Sequence, residues 1–269
     1  MLPLQLDFNF LPMRSLVLVL LTSFLVSYIP TRLTEHLPEE KTVEPIVEKE
    51  PLPKIDHTQL LYRKMGLESI LKYEAFEQAM QGYHTLQPRQ DHILTVIDFT
   101  LPSTDKRMVV LDMKNEKVLY HTIVSHGRNS GDKYARSFSN RHGSYQSSLG
   151  FYETENTYQG GNGYSLVLNG LEKGINDQAK ARAVVIHGAD YASESFIKST
   201  GRLGRSYGCP ALPRNVTKPI INTIKNGTLL YIYADNAEYM ASTKIVRDID
   251  TNTLLAQRDM YVDSVGTLN

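Results

Sequence analysis

Apolar spacing divides the chain into four regimes. Ser15 to Ile29 is an uninterrupted run of 15 uncharged residues behind Arg14. That is the length of a signal h-region and is short of the about 20 residues that span a bilayer. Met1 to Pro12 carries Asp7 and no Lys or Arg, so Met13 is the better start for such a segment. Residues 1–30 are therefore expected to be a signal peptide or an N-terminal anchor. Thr31 to Asp56 has no apolar period and is rich in Glu and in proline (38, 45, 51 and 53). This is the composition of an extended linker, assigned to residues 31–56, with a reach of about 80 Å at about 3.1 Å per residue.

Helical spacing begins at His57. Two helices divided at Gly66 are predicted over residues 57–81, the second carrying Ala75/Phe76, Ala79/Met80 and Tyr83 on one face, with Gly82 placed to end it. This stripe predicts a helical segment, residues 57–92, packed on the domain that follows. From Ile93 the period drops to two. Leu94–Phe99, Met108–Leu111 and Val118–Val124 read as strands, the last two joined by a turn at Lys114-Asn115-Glu116. Arg128 to Gly163, dense in Ser, Gly, Asn and Tyr, reads as surface loops, with turns between short strands over Tyr152 to Gly163; it is too long to be an idle connection.

Short helices are then predicted over Gln178–Arg182, capped by Asn176-Asp177, over Ser193–Thr200, and over Val216–Lys225, capped by Asn215 and stopped by Asn226-Gly227. Thr228–Tyr233 is a final strand. A catalytic domain over 93–234 and a C-terminal extension over 235–269, to which no role is assigned, complete the division.

Composition narrows the functional classes. With 41% hydrophobic and 22% charged residues the chain can bury a core. Its formal net charge of zero gives no basic surface for nucleic acid. One cysteine and eight scattered histidines offer neither an internal disulfide nor a metal-ligand spacing.

The single cysteine is where chemistry concentrates. Val184-Val185-Ile186 is a β-branched strand that delivers His187 to its end, just before Gly188. Gly204-Arg205-Ser206-Tyr207-Gly208-Cys209-Pro210 is a bent loop whose N–H groups can converge on one point. A thiol needs a nearby base or cation to act as a nucleophile at neutral pH, and a histidine on a separate strand supplies one. Each residue taken singly also has a plain structural reading, a small buried hydrophobe or a satisfied core imidazole. His126, in a Gly/Ser-rich loop, is a second candidate base.

These residues resemble the HG…SxGC signature of the L,D-transpeptidases, cysteine enzymes that cross-link bacterial peptidoglycan, and more narrowly the murein L,D-transpeptidase catalytic domain family. Ser125-His126-Gly127, Ser137–Asn140, Gly143–Gly150 and Gly170-Leu171-Glu172 are similar to the same branch, so the resemblance runs from about Leu94 to Tyr233. It implies a mainly-β fold, a β-sandwich of mixed sheets with several peripheral helices. It further implies Cys209 as nucleophile, His187 as base oriented by backbone near Gly188, and an oxyanion site at Ser206, Tyr207, Gly208 and Cys209. His126, Ser139 and Tyr145 would line the cleft, and no cofactor or metal is called for.

The implied substrate is the peptidoglycan stem tetrapeptide, acted on outside the cytoplasm, in the periplasm or cell envelope. An amine acceptor would give a 3→3 cross-link, and water would make the enzyme an L,D-carboxypeptidase. The family pattern has His before Gly-Cys and Arg two residues after Cys; here Tyr207 and Ala211 stand there, and Arg205 is expected to replace the missing cation. A noncatalytic wall-binding module and a cysteine peptidase of another fold stay open as alternatives.

Overall fold

The computed structural model describes residues 56–246, so the N-terminal apolar run, nearly all of the linker and residues 247–269 lie outside the described residues. Two helices come first, as the spacing predicts. Helix α1 (His57–Lys64) is capped by Asp56, whose carboxylate accepts the N–H groups of Thr58 and Gln59 at 2.9 and 3.1 Å. Gly66, in the left-handed region at φ +66°, lies between it and α2 (Tyr73–Leu86).

Eight strands follow among the described residues: β1 (Ile93–Asp98), β2 (Met108–Asp112), β3 (Lys117–Thr122), β4 (Gly150–Gly160), β5 (Gly163–Gly170), β6 (Val185–Gly188), β7 (Ala211–Leu212) and β8 (Leu229–Tyr233). The fold is mainly β with mixed pairing and peripheral helices, as expected. Its strands are hydrogen-bonded as one sheet in the order β3-β2-β1-β8-β4-β5-β6-β7. Pairing is parallel at β1–β8 and β6–β7 and antiparallel elsewhere. The two ends of the sheet nearly meet, because Ser125, just beyond β3, bridges Ala211 of β7.

Every residue of β1, β2 and β8 is buried, the pattern of strands covered on both faces. Helix α2 packs on β1 and β8, and α4 (Arg214–Ile224) packs on β1, β5 and β6. The buried face of α4 is Thr217, Ile220, Ile221 and Ile224, one stripe at helical spacing. Helix α3 (Glu194–Thr200), capped by Ser193, and α5 (Ala237–Ser242), capped by Asn236, complete the helices among the described residues.

Four local expectations are corrected. Gly82 does not end α2, which runs on to Leu86; it is there because a Cβ would sit 2.0 Å from Cε1 of Phe151. Tyr152 to Gly160 is no series of turns but the bulk of the 11-residue strand β4, whose second half is largely exposed while Thr154 is buried. Helix α4 begins at Arg214 after Pro213, so Asn215 lies inside it. Residues 178–182 form turns, with Arg182 bonded to the 139–148 loop as described below.

The C-terminal extension is partly structured. Tyr239 of α5 is buried, its hydroxyl donates to Glu172 at 3.2 Å, and Thr243 donates to the other oxygen of that carboxylate at 2.5 Å. Glu172 also accepts the N–H of Phe151 at 2.8 Å, so the extension is pinned to the start of β4.

Gly82→Ala would stabilise an exposed helix by about 1 kcal/mol. Here the collision with Phe151 should outweigh that gain, since overpacking a core costs about 1–3 kcal/mol. A lower melting temperature is expected, with partial recovery when Phe151 is shortened to Leu; thermal denaturation of the two variants checks it.

Candidate active site

The end of β6 and the loop before β7 meet through strand pairing. His187 lies opposite Ala211 in the parallel β6–β7 register, which puts Cys209, two residues earlier, alongside Val185. The sulfur accepts the Val185 N–H at 3.5 Å and the thiol approaches the Ala183 carbonyl at 3.6 Å. Val185 and His187 project to the same face of β6, as alternate strand residues do. Cys209 is half-buried, and its hydrogen-bond partners in this resting arrangement are Val185 and Ala183 rather than His187.

His187 is buried, and its Nδ1 lies 3.1 Å from the Gly188 carbonyl. A carbonyl can only accept, so Nδ1 carries the proton and Nε2 is the basic nitrogen. Burial, with a smaller contribution from the Arg214 cation, holds this imidazole below its ordinary value. Burial likewise pushes the Cys209 thiol up, opposed by the Val185 N–H, the Arg182 cation and the cysteine's own N–H. Burial thus disfavours the charged form of both groups, the imidazolium and the thiolate alike.

Arg182 is the residue that sequence reasoning missed. Its guanidinium donates to the carbonyls of Ser139 and Gln146 at 2.7 and 2.6 Å and to the hydroxyls of Ser148 and Ser144 at 2.6 and 3.2 Å. One side chain thus gathers the 139–148 loop. It also abuts the cysteine loop: a Cβ on Gly208 would lie 3.3 Å from the Arg182 nitrogen and 2.8 Å from the Gln146 carbonyl. Gly208, at φ +127°, meets both the steric and the backbone demand of that position. Arg205, the expected substitute cation, lies on the other side of the loop, donating to the carbonyls of Arg128 and Gly131 and pairing with Asp132 at 3.3 Å.

The remaining predicted residues divide into support and surface. Ser206 Oγ donates to the Cys209 carbonyl at 2.6 Å and accepts the Gly208 N–H at 3.0 Å, so that N–H is committed inside the loop. Ser139 serves through its backbone, whose carbonyl holds Arg182 and Ser148. Tyr207 and Tyr145 are exposed, at 66% and 43%, with ring centroids 4.7 Å apart.

His126 is 1% exposed and its Nδ1 accepts from Arg107 at 2.8 Å, which leaves the Nε2–H facing the Gly131 carbonyl at 3.4 Å. Both nitrogens are thus engaged by buried protein groups. Arg107, itself buried, also donates to the carbonyls of Val124 and Leu101, fixing the segment that leads to Ser125. Two cavities, of about 410 and 520 Å³, lie around Lys106 and His121, and Cys209 lines neither.

Two outcomes follow from this geometry. Arg182→Ala should slow alkylation of Cys209 at neutral pH by about tenfold, the scale of one lost charge-assisted contact, while Arg182→Lys, keeping the charge but not the fork, recovers part of it. Rates of iodoacetamide labelling measure both. Burial and the Arg107 cation depress His126 to about 3. The unfolded chain, titrating near the ordinary 6.5, then binds the extra proton between those values. Stability should fall as pH drops from about 6.5 toward 3, and His126→Gln should flatten that slope in denaturant titrations across the window.

Residues 67–233 match the model of the L,D-transpeptidase catalytic domain family. No curated protein sequence matches the chain. Among solved structures, an L,D-transpeptidase from Mycobacterium smegmatis is similar at 13% identity and a TM-score of 0.34, over 53% of this chain and 59% of that one. The helical cell shape determining protein Pgp2 from Campylobacter jejuni is similar at 15% identity and a TM-score of 0.37, over 55% of this chain and 50% of that one. An Enterococcus faecium L,D-transpeptidase is similar at 16% identity and a TM-score of 0.33, over 53% of this chain and 50% of that one. The matched region thus spans half to three-fifths of the length of these proteins. With the family model covering more than half of the chain, from the loop before α2 to the end of β8, the chain belongs to the L,D-transpeptidase catalytic domain family.

Proposed function

We propose that the chain is a peptidoglycan L,D-transpeptidase in which Cys209 is the nucleophile and His187 the base. The observation that carries this reading is the β6–β7 pairing, which sets a thiol beside Val185 and an imidazole with a basic Nε2 two residues further along the same face. In the first half-reaction His187 Nε2 takes the thiol proton and the sulfur attacks the amide carbonyl between the diamino acid and D-alanine of a stem tetrapeptide. The developing oxyanion is held by backbone N–H of the cysteine loop, with that of Cys209 itself nearest the sulfur. The C–N bond then breaks, His187 returns the proton to the departing D-alanine nitrogen, and a thioester remains.

An amine of a second stem attacks the thioester, gives its proton to His187 and releases Cys209, leaving a 3→3 link. Arg182 supports this cycle by holding the loop against Gly208 and by favouring the thiolate. His126 takes part only through the scaffold that Arg107 builds around it. The proposed place of action is the cell envelope, reached through the uncharged run at residues 15–29.

Incubation with disaccharide tetrapeptide, read by mass, tests the proposal. A Cys209-dependent dimer supports it, tripeptide alone makes the enzyme an L,D-carboxypeptidase, and no change from a folded chain removes the catalytic reading. The pH profile of kcat/KM gives a second check. Because His187 is held below its ordinary 6.5, it stays neutral to lower pH, and the acidic limb should fall below pH 6.5.

A further inference from the structure

The loop that carries Cys209 also carries Tyr207, part of a group of side chains with no part in the proposed reaction. Arg128 follows Gly127, which bridges Ser206, and the Arg128 N–H donates to the Ser206 carbonyl at 2.7 Å. Its guanidinium sits 5.8 Å from the ring centroid of Tyr145 and 5.8 Å from that of Tyr207. All three side chains are exposed. An exposed pair of rings straddled by a cation, two residues from the nucleophile, is a surface ready for a ligand.

Three further observations say which ligand. Arg128 forms no ion pair among the described residues, and Asp132, the one acidic residue of the 125–148 segment, is taken by Arg202 and Arg205. That segment carries Arg128, Lys133, Arg136 and Arg141 against this single carboxylate, in a chain whose formal net charge is zero. Tyr145 is held in the left-handed region at φ +55°, a strained setting for a non-glycine residue. Its carbonyl accepts the Asn129 N–H, while the side chains of Asn129 and Gln146 bond to the Ser144 and Asn129 carbonyls. The loops are stitched so that the ring is presented beside Tyr207 rather than packed away.

We infer that Arg128, Tyr145 and Tyr207 form a carboxylate-reading subsite. Its ligand is the terminal carboxylate of the D-alanine that the reaction expels. This rests on the transpeptidase reading for the identity of the ligand, though not for its charge. A guanidinium matches a carboxylate with two parallel hydrogen bonds, and the two phenol rings hold its fork in place beforehand. The carboxylate lies one residue past the scissile amide, at about 3.8 Å of α-carbon spacing, and Arg128 is tied by its N–H to Ser206, three residues before the nucleophile.

The full chain is alkylated at Cys209 with iodoacetate, an anion, and with iodoacetamide, its neutral analogue, each rate normalised to free cysteine. Arg128→Ala should lower the iodoacetate-to-iodoacetamide ratio by about tenfold, with Arg128→Lys keeping most of the preference for the anion. In turnover, wild type should favour stem tetrapeptide over its C-terminal amide, and Arg128→Ala should remove that preference through KM. Thermal melts of each variant keep a folding defect from passing as a binding one. An unchanged ratio, or equal slowing of both reagents, overturns the subsite. Loss of binding in Tyr207→Ala but not in Arg128→Ala also overturns it, assigning a neutral stacked ligand. If the ratio falls in Arg128→Ala while wild type turns over neither peptide, the transpeptidase reading fails and the anion site stands.

Discussion

The parallel register of two short strands is the constraint on which the site depends. Strand β7 has only two residues, yet its pairing with β6 decides that Cys209 lies beside Val185 and within reach of the face that carries His187. A shift of one residue would turn the side chains to the opposite face. So short a strand cannot fix its own register, and the chain secures it from three other directions. Ser125 bridges Ala211 from the far end of the sheet, Ser206 bridges Gly127, and α4 packs on β6. The near closure of the sheet is thus what aligns the thiol.

The electrostatics are arranged around two neutral groups. Both the imidazole and the thiol are disfavoured as ions by burial, and the charges nearby act from the side: Arg182 on the sulfur, Arg214 on the imidazole. Thiolate at Cys209 is therefore opposed by burial and favoured only by the Val185 N–H, the Arg182 cation and the cysteine's own N–H. Arg107 and Arg182 use their forks similarly in different places, each binding several carbonyls or hydroxyls that belong to separate loops. Buried Arg107 and half-buried Arg182 are thus the cross-links between loops that lie far apart in sequence.

Much of this was legible in the sequence because it rests on local rules. The β-branched run ending at His187, the bend at Gly208 beside Cys209, and the stripe of Ala75, Phe76, Ala79 and Met80 each point to one local structure, and each has it. What could not be read depends on contacts distant along the chain. Arg182 looks like the end of a capped helix until the 139–148 loop is folded over it. Gly82 reads as a stop because nothing local reveals Phe151, 69 positions later. Strand β4 hides because its outer half alternates polar residues that resemble loop composition, and its pairing with β5 is set by the whole sheet. His126, a second candidate base by its Gly/Ser-rich loop, is buried against Arg107, a contact that no local pattern announces.

The contact between Gly82 and Phe151 has a consequence for how the molecule can be divided. Helix α2 looks like a preface to the β domain, but it lies inside the region matched by the family model and fits against β4 with no space for a methyl group. Phe151 in turn stacks on Tyr231 of β8, with ring centroids 4.2 Å apart, in the middle of the sheet. A dissection that began at the first strand would strip the cover from this aromatic column and bare the sheet's own interior to water. A fragment meant to keep the packed interior of the sheet therefore has to include α2.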